Sequence, residues 1–162
     1  MKFTIDRIEN TDVSDVEIFD LLSKVYVQAG FTTPEVAASL FEPTKVKSRG
    51  ILFVSRESST NELAGMVILV PAYSQASVMA KEGECEMHLL GVYPKYRGLG
   101  LGRSLVEKAI CLAKERGLKK IILWTQKPMN EAQGLYISLG FISCGEMVRN
   151  GIEYLLFDRE CI

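Results

Sequence analysis

The chain has 162 residues, of which 48% are hydrophobic, and its formal net charge at pH 7 is −1. This length suits one domain over residues 1–162, which would bury roughly two-thirds of its unfolded surface. The balanced charge offers no broad basic face, so binding to bulk nucleic acid is not expected. Reduced thiols are expected, because no two cysteines have the CxxC spacing of a zinc or disulfide motif: Cys85, Cys111, Cys144 and Cys161.

Hydropathy sets an expectation about location. The first residues, MKFTIDRIEN, contain acids and no long apolar run, which argues against a secretory signal. No stretch approaches the roughly 18 apolar residues of a membrane span. We therefore expect a cytoplasmic protein that does not bind membranes. The sequence leaves the oligomeric state open, and a homodimer is one of the options.

The chain opens with a strand pattern and then a helical pattern. Lys2–Glu9 is predicted as the first strand, and Thr11 or Asp12 as the cap of a helix that ends before Gly30. Apolar residues of this helix recur at three- and four-residue steps. They predict a stripe that faces the core: Val13, Val16, Phe19, Leu22, Val25 and Tyr26.

A short helix and a hairpin are predicted next. Cap and proline signals place the helix from Pro34 to about Phe41, closed by Pro43. Ile51–Ser55 and Leu63–Val70 are β-rich runs that a polar connection should join into an antiparallel pair. Residues 71–83 have no clear period and are predicted as a mobile loop.

The centre of the chain predicts a strand, a helix and a strand. Glu84–Val92 is the first strand, and a periodic helix follows from about Gly100 to Arg116, with Gly117 as its stop. Lys119–Thr125 lacks alternation, as in a strand buried on both faces. The three elements should form a right-handed unit with parallel strands.

The last third predicts a helix and a hairpin. The helix spans Asn130–Leu139, and Gly140 caps its end. Phe141–Val148 and Ile152–Asp158 flank Asn150-Gly151, which is a strong hairpin signal. The element order predicts an α/β (α+β) fold with a mixed, mostly antiparallel sheet of about seven strands. Helices cover both faces, and one parallel βαβ crossover is expected.

Three glycines separate the central strand from its helix, and their spacing tests two nucleotide-binding motifs. A strand that feeds a glycine-lined helix N-terminus can hold a phosphate, because free N–H groups and the helix dipole converge there. The dinucleotide fingerprint needs a third glycine where Arg103 stands, and the P-loop needs a lysine that is missing. Both motifs are therefore disfavoured, although a local anion site is expected at Gly98, Gly100 and Gly102.

Two motifs carry a family resemblance. Arg97-x-x-Gly100-x-Gly102, after a strand that ends LGVYP and before an amphipathic helix, closely resembles the acetyl-CoA signature of the GNAT superfamily of N-acetyltransferases. About 40 residues later, NEAQGLYISLGF at Asn130–Phe141 resembles the second motif of that family. The resemblance covers residues 84–142, and the rest of the chain fits by element order.

The resemblance implies a single GNAT-type domain that passes an acetyl group from acetyl-CoA directly to a primary amine of a small molecule, peptide or protein. A GNAT-like module that binds acyl-CoA without turnover is the alternative. Gly91 would tolerate the strand irregularity that often opens the cofactor slot in this family. The implied cofactor-binding residues are Leu90, Gly91, Val92, Arg97, Gly98, Leu99, Gly100, Leu101, Gly102, Arg103 and Asn130. Asn130 could equally cap its helix.

The reaction needs a proton acceptor. An alkyl ammonium resembles lysine, with a pKa of about 10.4, so roughly one part in a few thousand is neutral at pH 7. The family position of the accepting carboxylate corresponds to Glu86, and alternation puts His88 and Glu84 on the same strand face. The order of preference is Glu86, His88, Glu84, and the alternative is an acid paired with a neighbouring cation. A metal triad is not expected, since the strand spreads these residues over roughly 12 Å or more.

Tyr136 matches the tyrosine that family members set against the leaving thiolate. With ordinary pKa values near 10 and 8.5, proton transfer from tyrosine to the thiolate is uphill by about 2 kcal/mol. The resemblance thus implies a hydrogen bond to the thiolate more than outright donation. The alternative is an aromatic ring that only packs its helix on the sheet.

The acceptor site carries no motif. The resemblance would line it with Tyr26–Phe31, Phe41 and Arg149–Gly151. Two interpretations stay open for the cations that follow the second predicted helix. They either meet an acidic group on the acceptor or belong to a solvated loop: Lys45, Lys47 and Arg49.

Overall fold

The computed structural model describes residues 1–161, and a seven-stranded sheet runs through them in the order β1-β2-β3-β4-β5-β7-β6. Neighbouring strands are antiparallel except for the parallel pair β4 and β5. This confirms the predicted sheet. Its strands are β1 Phe3–Arg7, β2 Ile51–Glu57, β3 Leu63–Pro71, β4 Glu84–Val92, β5 Lys120–Gln126, β6 Ile142–Arg149 and β7 Ile152–Glu160.

Helices lie on both faces of the sheet. An added Cβ at Gly91 would meet Val25, in a π-helical turn that continues α1, whereas the next residue, Val92, faces Gly102 of α4. No helix of residues 1–161 has the length and apolar character that a bilayer crossing requires. The helices are α1 Asp15–Leu22, α2 Pro34–Leu40, α3 Pro43–Ser48, α4 Leu101–Glu115 and α5 Asn130–Ser138.

The start of α1 differs from the prediction. Ser14, and not Thr11 or Asp12, is the cap: its hydroxyl accepts from the Glu17 N–H, and the Glu17 carboxylate accepts from the Ser14 N–H. This capping box fixes which face turns inward. Val16 is 77% exposed, so the predicted stripe is wrong there, and the buried positions are Ile18, Leu21, Leu22 and Val25.

The helix α2 ends at Leu40, as predicted, and Pro43 then opens a further helix that was not predicted. Proline is accepted at the first helical position because that N–H has no intrahelical partner. The Glu42 carboxylate accepts from the backbone N–H groups of Thr44 and Lys45, which caps α3 in place of the predicted loop. The consequence for the site is that Arg49 lies directly after a fixed helix end.

Strand β5 alternates in burial, contrary to the prediction of two buried faces. Ile121, Leu123 and Thr125 are buried, whereas Ile122 and Trp124 are half-buried. Trp124 lines a cleft, so its side chain is covered only in part.

The terminal hairpin is confirmed. Arg149 pairs with Ile152 around the two-residue turn. Asn150 has φ 51° and Gly151 φ 77°, as expected for an Asn-Gly turn whose twist matches that of the strands.

Candidate active site

The parallel strands β4 and β5 separate along their length and leave a cleft. Their pairing covers only Glu84–Glu86 with Lys120–Ile122. Beyond it, Met66 of β3 pairs with Gly91 and Ile68 with His88, so β4 has one extra residue there. This bulge turns β4 away from β5, and the cleft has a volume of about 2060 Å³.

The bulge lies at Leu89, two residues before Gly91, which was the predicted place. Leu89 has φ 52°, a left-handed conformation that costs a non-glycine residue on the order of 1 kcal/mol or more. Gly91 is small for another reason, since an added Cβ would lie 3.3 Å from Val25 Cγ2. Leu90, Gly91 and Val92 all line the cleft.

The glycine turn presents unpaired backbone donors to the cleft. Gly98 and Gly100 have φ of 78° and 82°, and an added Cβ at either would meet nothing within 4 Å. Glycine is therefore needed at these two positions for the positive φ angle and not for lack of space. The first bond into α4 runs from the Ser104 N–H to the Gly100 carbonyl, at 3.1 Å. The N–H groups of residues 98–103 donate to no acceptor in the described chain, so they can receive an anion.

The two arginines of the turn are fixed by protein contacts. Arg97 Nε donates to the Val92 carbonyl at 3.1 Å, which ties the turn to the end of β4. Arg103 Nη2 donates to Ser138 Oγ at 2.6 Å, which ties α4 to α5. Both side chains also line the cleft, so they add positive charge beside the open N–H groups.

Of the other three residues of the turn, Leu101 and Gly102 line the cleft and Leu99 does not. Gly102 would place a Cβ 3.4 Å from Leu135 Cδ2, so its small size lets α5 approach α4. Leu101 is buried and lines the cleft, but Leu99 is 53% exposed and lies outside the cleft lining.

The Glu86 carboxylate is fully buried and does not line the cleft. Burial raises its pKa, but hydrogen bonds from His88 and from backbone N–H groups outweigh this effect and leave the pKa at about 2. The carboxylate folds the connection between β3 and β4 onto the sheet, and the predicted mobility of that loop stays a prediction. The donors are Ser77 Oγ at 3.0 Å, Val78 N at 2.9 Å, Met79 N at 2.6 Å, Ala80 N at 2.7 Å and His88 Nε2 at 2.9 Å.

His88 connects this carboxylate to the cleft. A carboxylate can only accept, so His88 Nε2 carries the proton toward Glu86, and Nδ1 accepts from Arg49 Nη1 at 3.2 Å. The ring stands edge-to-face against Trp124, with centroids 4.9 Å apart. Burial, and then the charges of Arg49 and Arg149, lower the His88 pKa, although Glu86 acts in the opposite direction. The imidazole is therefore neutral at pH 7.

The three candidate proton acceptors thus occupy different places. His88 lines the cleft, whereas Glu86 and Glu84 do not. Glu84 accepts from the Lys81 N–H at 3.0 Å and lies 4.0 Å from Lys120 Nζ. The role of Glu86 as the base stays a prediction, and through the bond from His88 Nε2 it can act on the cleft only indirectly.

Tyr136 faces the cleft from α5. Its ring is 7% exposed and packs against Phe141 and Phe157, with centroids 5.8 and 6.4 Å away. Burial raises the pKa of the hydroxyl well above its ordinary value. Within residues 1–161 this hydroxyl has no hydrogen-bond partner, and the residue lines the cleft. The hydroxyl is therefore protonated and free to donate.

Asn130 does not cap its helix. Met129 occupies the cap position of α5 and Asn130 the first helical position, without a side-chain capping bond. Asn130 is exposed and lines the cleft. The alternative that this residue serves only as a helix cap therefore loses its main support.

Trp124 is a cleft residue that the sequence analysis missed. It packs on His88 and lines the cleft where β5 leaves β4. Trp124 lies in the apolar run IILW, which does not alternate with polar residues. The run therefore gave no reason to place one face of β5 along a cleft.

Comparison with known proteins agrees with this architecture. A family model for the acetyltransferase (GNAT) family matches residues 16–141. A mycothiol acetyltransferase of Thermobispora bispora is 39% identical over 56 residues, which are 35% of this chain and 19% of that protein. An uncharacterized N-acetyltransferase of Schizosaccharomyces pombe is 29% identical over 150 residues, covering 90% of this chain and 87% of that protein.

A solved structure extends the likeness over the fold. The ribosomal-protein-S18-alanine N-acetyltransferase of Escherichia coli superposes with a TM-score of 0.73 at 20% identity, covering 99% of this chain and 94% of that one. At this identity the likeness concerns the fold alone. The family match over residues 16–141, however, covers most of the chain. The chain therefore belongs to the GNAT family of acetyltransferases.

Proposed function

We propose that the protein transfers an acetyl group from acetyl-CoA to a primary amine. One observation carries the proposal: Gly98 and residues 100–103 with their open N–H groups, the neutral imidazole of His88 and the free hydroxyl of Tyr136 border the same cleft. A phosphate-bearing thioester and an amine could thus meet between a donor array, a proton acceptor and a hydrogen-bond donor.

The described residues fit acetyl-CoA. Six consecutive N–H groups without protein acceptors suit a pyrophosphate, and Arg97 and Arg103 add charge at the same end of the cleft. The separated edge of β4 at Leu90–Val92 is available for the pantetheine arm. Asn130, with its amide unused in the helix cap, is placed to hold the cofactor. When bound, acetyl-CoA would supply the acetyl group in activated thioester form.

His88 would accept the proton of the amine. Its Nδ1 is the unprotonated ring atom, and it exchanges the Arg49 hydrogen bond for the incoming proton. Glu86 stays ionised because its pKa is about 2, so its negative charge stabilises the imidazolium that forms. In this assignment Glu86 orients the His88 ring and stabilises its protonated form, but it does not touch the acceptor.

Tyr136 would stabilise the leaving thiolate by donating a hydrogen bond. An ordinary tyrosine is already about 2 kcal/mol too weak an acid for full transfer to a thiolate. Burial raises the Tyr136 pKa further, which makes proton transfer still less favourable. The hydroxyl keeps its proton and donates a hydrogen bond.

Thermal stability tests the cofactor, and turnover tests the chemistry. Acetyl-CoA at 100 times its Kd should stabilise the fold by about 2.7 kcal/mol, or roughly 5–10 °C in Tm. Absence of any shift would refute the proposed cofactor. A shift without CoA release across an amine and peptide panel would instead favour a module that binds acyl-CoA without turnover.

A further inference from the structure

The acceptor end of the cleft carries positive charge that the proposed function does not explain. Glu131, at the start of α5, is the one acidic residue of the described chain that lines the cleft. The opposite end, between α3 and the turn that joins β6 to β7, holds Lys45, Arg49 and Arg149. An ammonium group would approach a cationic wall there, which is unfavourable unless the acceptor brings a negative charge of its own.

Arg49 lies in this wall without an anionic partner. Its guanidinium reaches His88 Nδ1 at 3.2 Å and the Leu40 carbonyl at 3.4 Å, and it pairs with no carboxylate of residues 1–161. Burial lowers the pKa of Arg49, a sign that its charge is poorly solvated. A half-buried cation costs free energy unless something compensates it.

Neighbouring cations contrast with Arg49. Lys47, only two residues earlier, pairs with Asp15 at 2.6 Å on the outer surface. Arg56 pairs with Glu17 at 2.9 Å. Both of these cations outside the cleft therefore have an acidic partner, whereas Arg49 has none.

A second unpaired arginine faces the same space. Arg149 ends β6 next to the hairpin turn, and its side chain forms no ion pair or hydrogen bond with the described residues. Arg149 lines the cleft together with Arg49 and His88, and its charge lowers the pKa of both groups. Two guanidinium groups without acidic partners thus line the cleft that His88 also lines.

We infer that the acceptor is an amine that also carries a carboxylate, as an amino acid does, and that Arg49 and Arg149 hold this carboxylate. The planar guanidinium fork matches the two oxygens of a carboxylate. With its carboxylate against the arginines, the amine of a small amino acid lies next to His88. This inference rests on the proposed acetyl transfer, whose site it deepens.

Matched acceptors test it. Steady-state kcat/KM is measured at saturating acetyl-CoA for each amino acid and its carboxamide, and for aspartate and glutamate also for the side-chain amide. We expect at least one acid to exceed its amide tenfold or more. The amine of the carboxamide is less basic than that of the free amino acid, so a larger fraction of it is neutral and reactive. This difference alone would favour the amide, so a preference for the acid cannot come from amine basicity. Equal or better turnover of amides or of simple alkylamines overturns the inference and leaves acetyl transfer intact.

Variants assign the preference to the arginines. Arg149→Gln, which removes a group not bonded to His88, should cut the preference for the acid to below threefold, chiefly through KM. Lys47→Gln is the matched control outside the cleft and should keep the full preference. A preference that survives in Arg149→Gln contradicts the inference.

A binding measurement separates the inference from the chemistry. If no amine is acetylated, the proposed function fails, yet anion recognition can still be measured with CoA bound. N-acetylated amino acids should then raise Tm more than their amides in the wild type and not in Arg149→Gln. Equal shifts for acid and amide would overturn the inference independently of turnover.

Discussion

His88 Nε2 lies 2.9 Å from Glu86 Oε1, which joins a cleft-facing imidazole to a buried carboxylate. The two residues are two positions apart on β4 and therefore share one face of the strand. The carboxylate is held by four other donors, so it stays charged and fixes the ring.

The activity should depend on the neutral form of His88. Its pKa lies below the ordinary value of 6.5, so kcat/KM should fall in acid with an apparent pKa below 6.5. His88→Gln should lower kcat/KM at least tenfold at pH 8. The ratio of wild type to His88→Gln should approach one as the pH falls below that pKa, whatever the titration of the amine itself. A constant ratio from pH 5 to pH 9 would exclude His88 as the proton acceptor.

Stability should fall in acid in two steps. The His88 pKa is lowered by folding, so its contribution is present above 6.5 and is lost as the pH falls from there to the folded pKa. The Glu86 pKa falls from 4.5 to about 2 on folding, so its contribution is full above 4.5 and is lost toward pH 2. Urea unfolding as a function of pH measures both.

Glu86→Gln should destabilise the fold at neutral pH. The change removes a charge that accepts several hydrogen bonds in a buried place, which costs about 2–3 kcal/mol, or roughly 5–10 °C in Tm. The difference from wild type should shrink between pH 4.5 and 2, where Glu86 becomes protonated. Glu84→Gln is the matched control on the same strand and should cost less than about 1 kcal/mol. Equal losses in the two variants would contradict the structural role of Glu86.

Tyr136→Phe should lose activity and keep stability. The hydroxyl makes no hydrogen bond within the described chain, so its removal leaves the packing against Phe141 and Phe157 intact. We expect kcat to fall at least tenfold with an unchanged Tm shift on addition of acetyl-CoA. Tyr93→Phe, which loses a bond to Asp20 outside the cleft, should show the reverse: lower stability and normal kcat. Unchanged turnover in Tyr136→Phe would refute its proposed role.

Gly98→Ala and Gly100→Ala should weaken cofactor binding through the backbone. Both positions have φ near 80° and open space around an added Cβ, so the cost is conformational, at about 1 kcal/mol each. The acetyl-CoA Tm shift should be smaller in both variants. Gly134→Ala is the matched control, because Gly134 lies within α5 with open space and ordinary φ. It should keep the full shift and gain up to about 1 kcal/mol.

Local rules were enough for the order of the elements other than α3, for the hairpin turn and for the glycine turn. Asn150 and Gly151 have positive φ, as do Gly98 and Gly100, and such backbone preferences are set by the residues themselves. The motif around Tyr136 likewise predicted a helix that carries this residue into the cleft. Local reasoning missed α3, because a proline just after a helix end fits both a stop signal and the first position of a new helix.

The sequence by itself determined the strands, the helices other than α3 and their order along the chain, since these follow from spacing and backbone preference. The tertiary structure alone decided that a leucine bears the bulge, that Glu86 is enclosed while His88 meets the cleft, and that Arg49 reaches His88. Each of these depends on contacts between distant segments: β3 against β4 at Leu89, the 77–80 connection around Glu86, and the end of α3 beside His88, 39 positions away. Such contacts form only when burial and hydrogen bonding are satisfied across the whole fold.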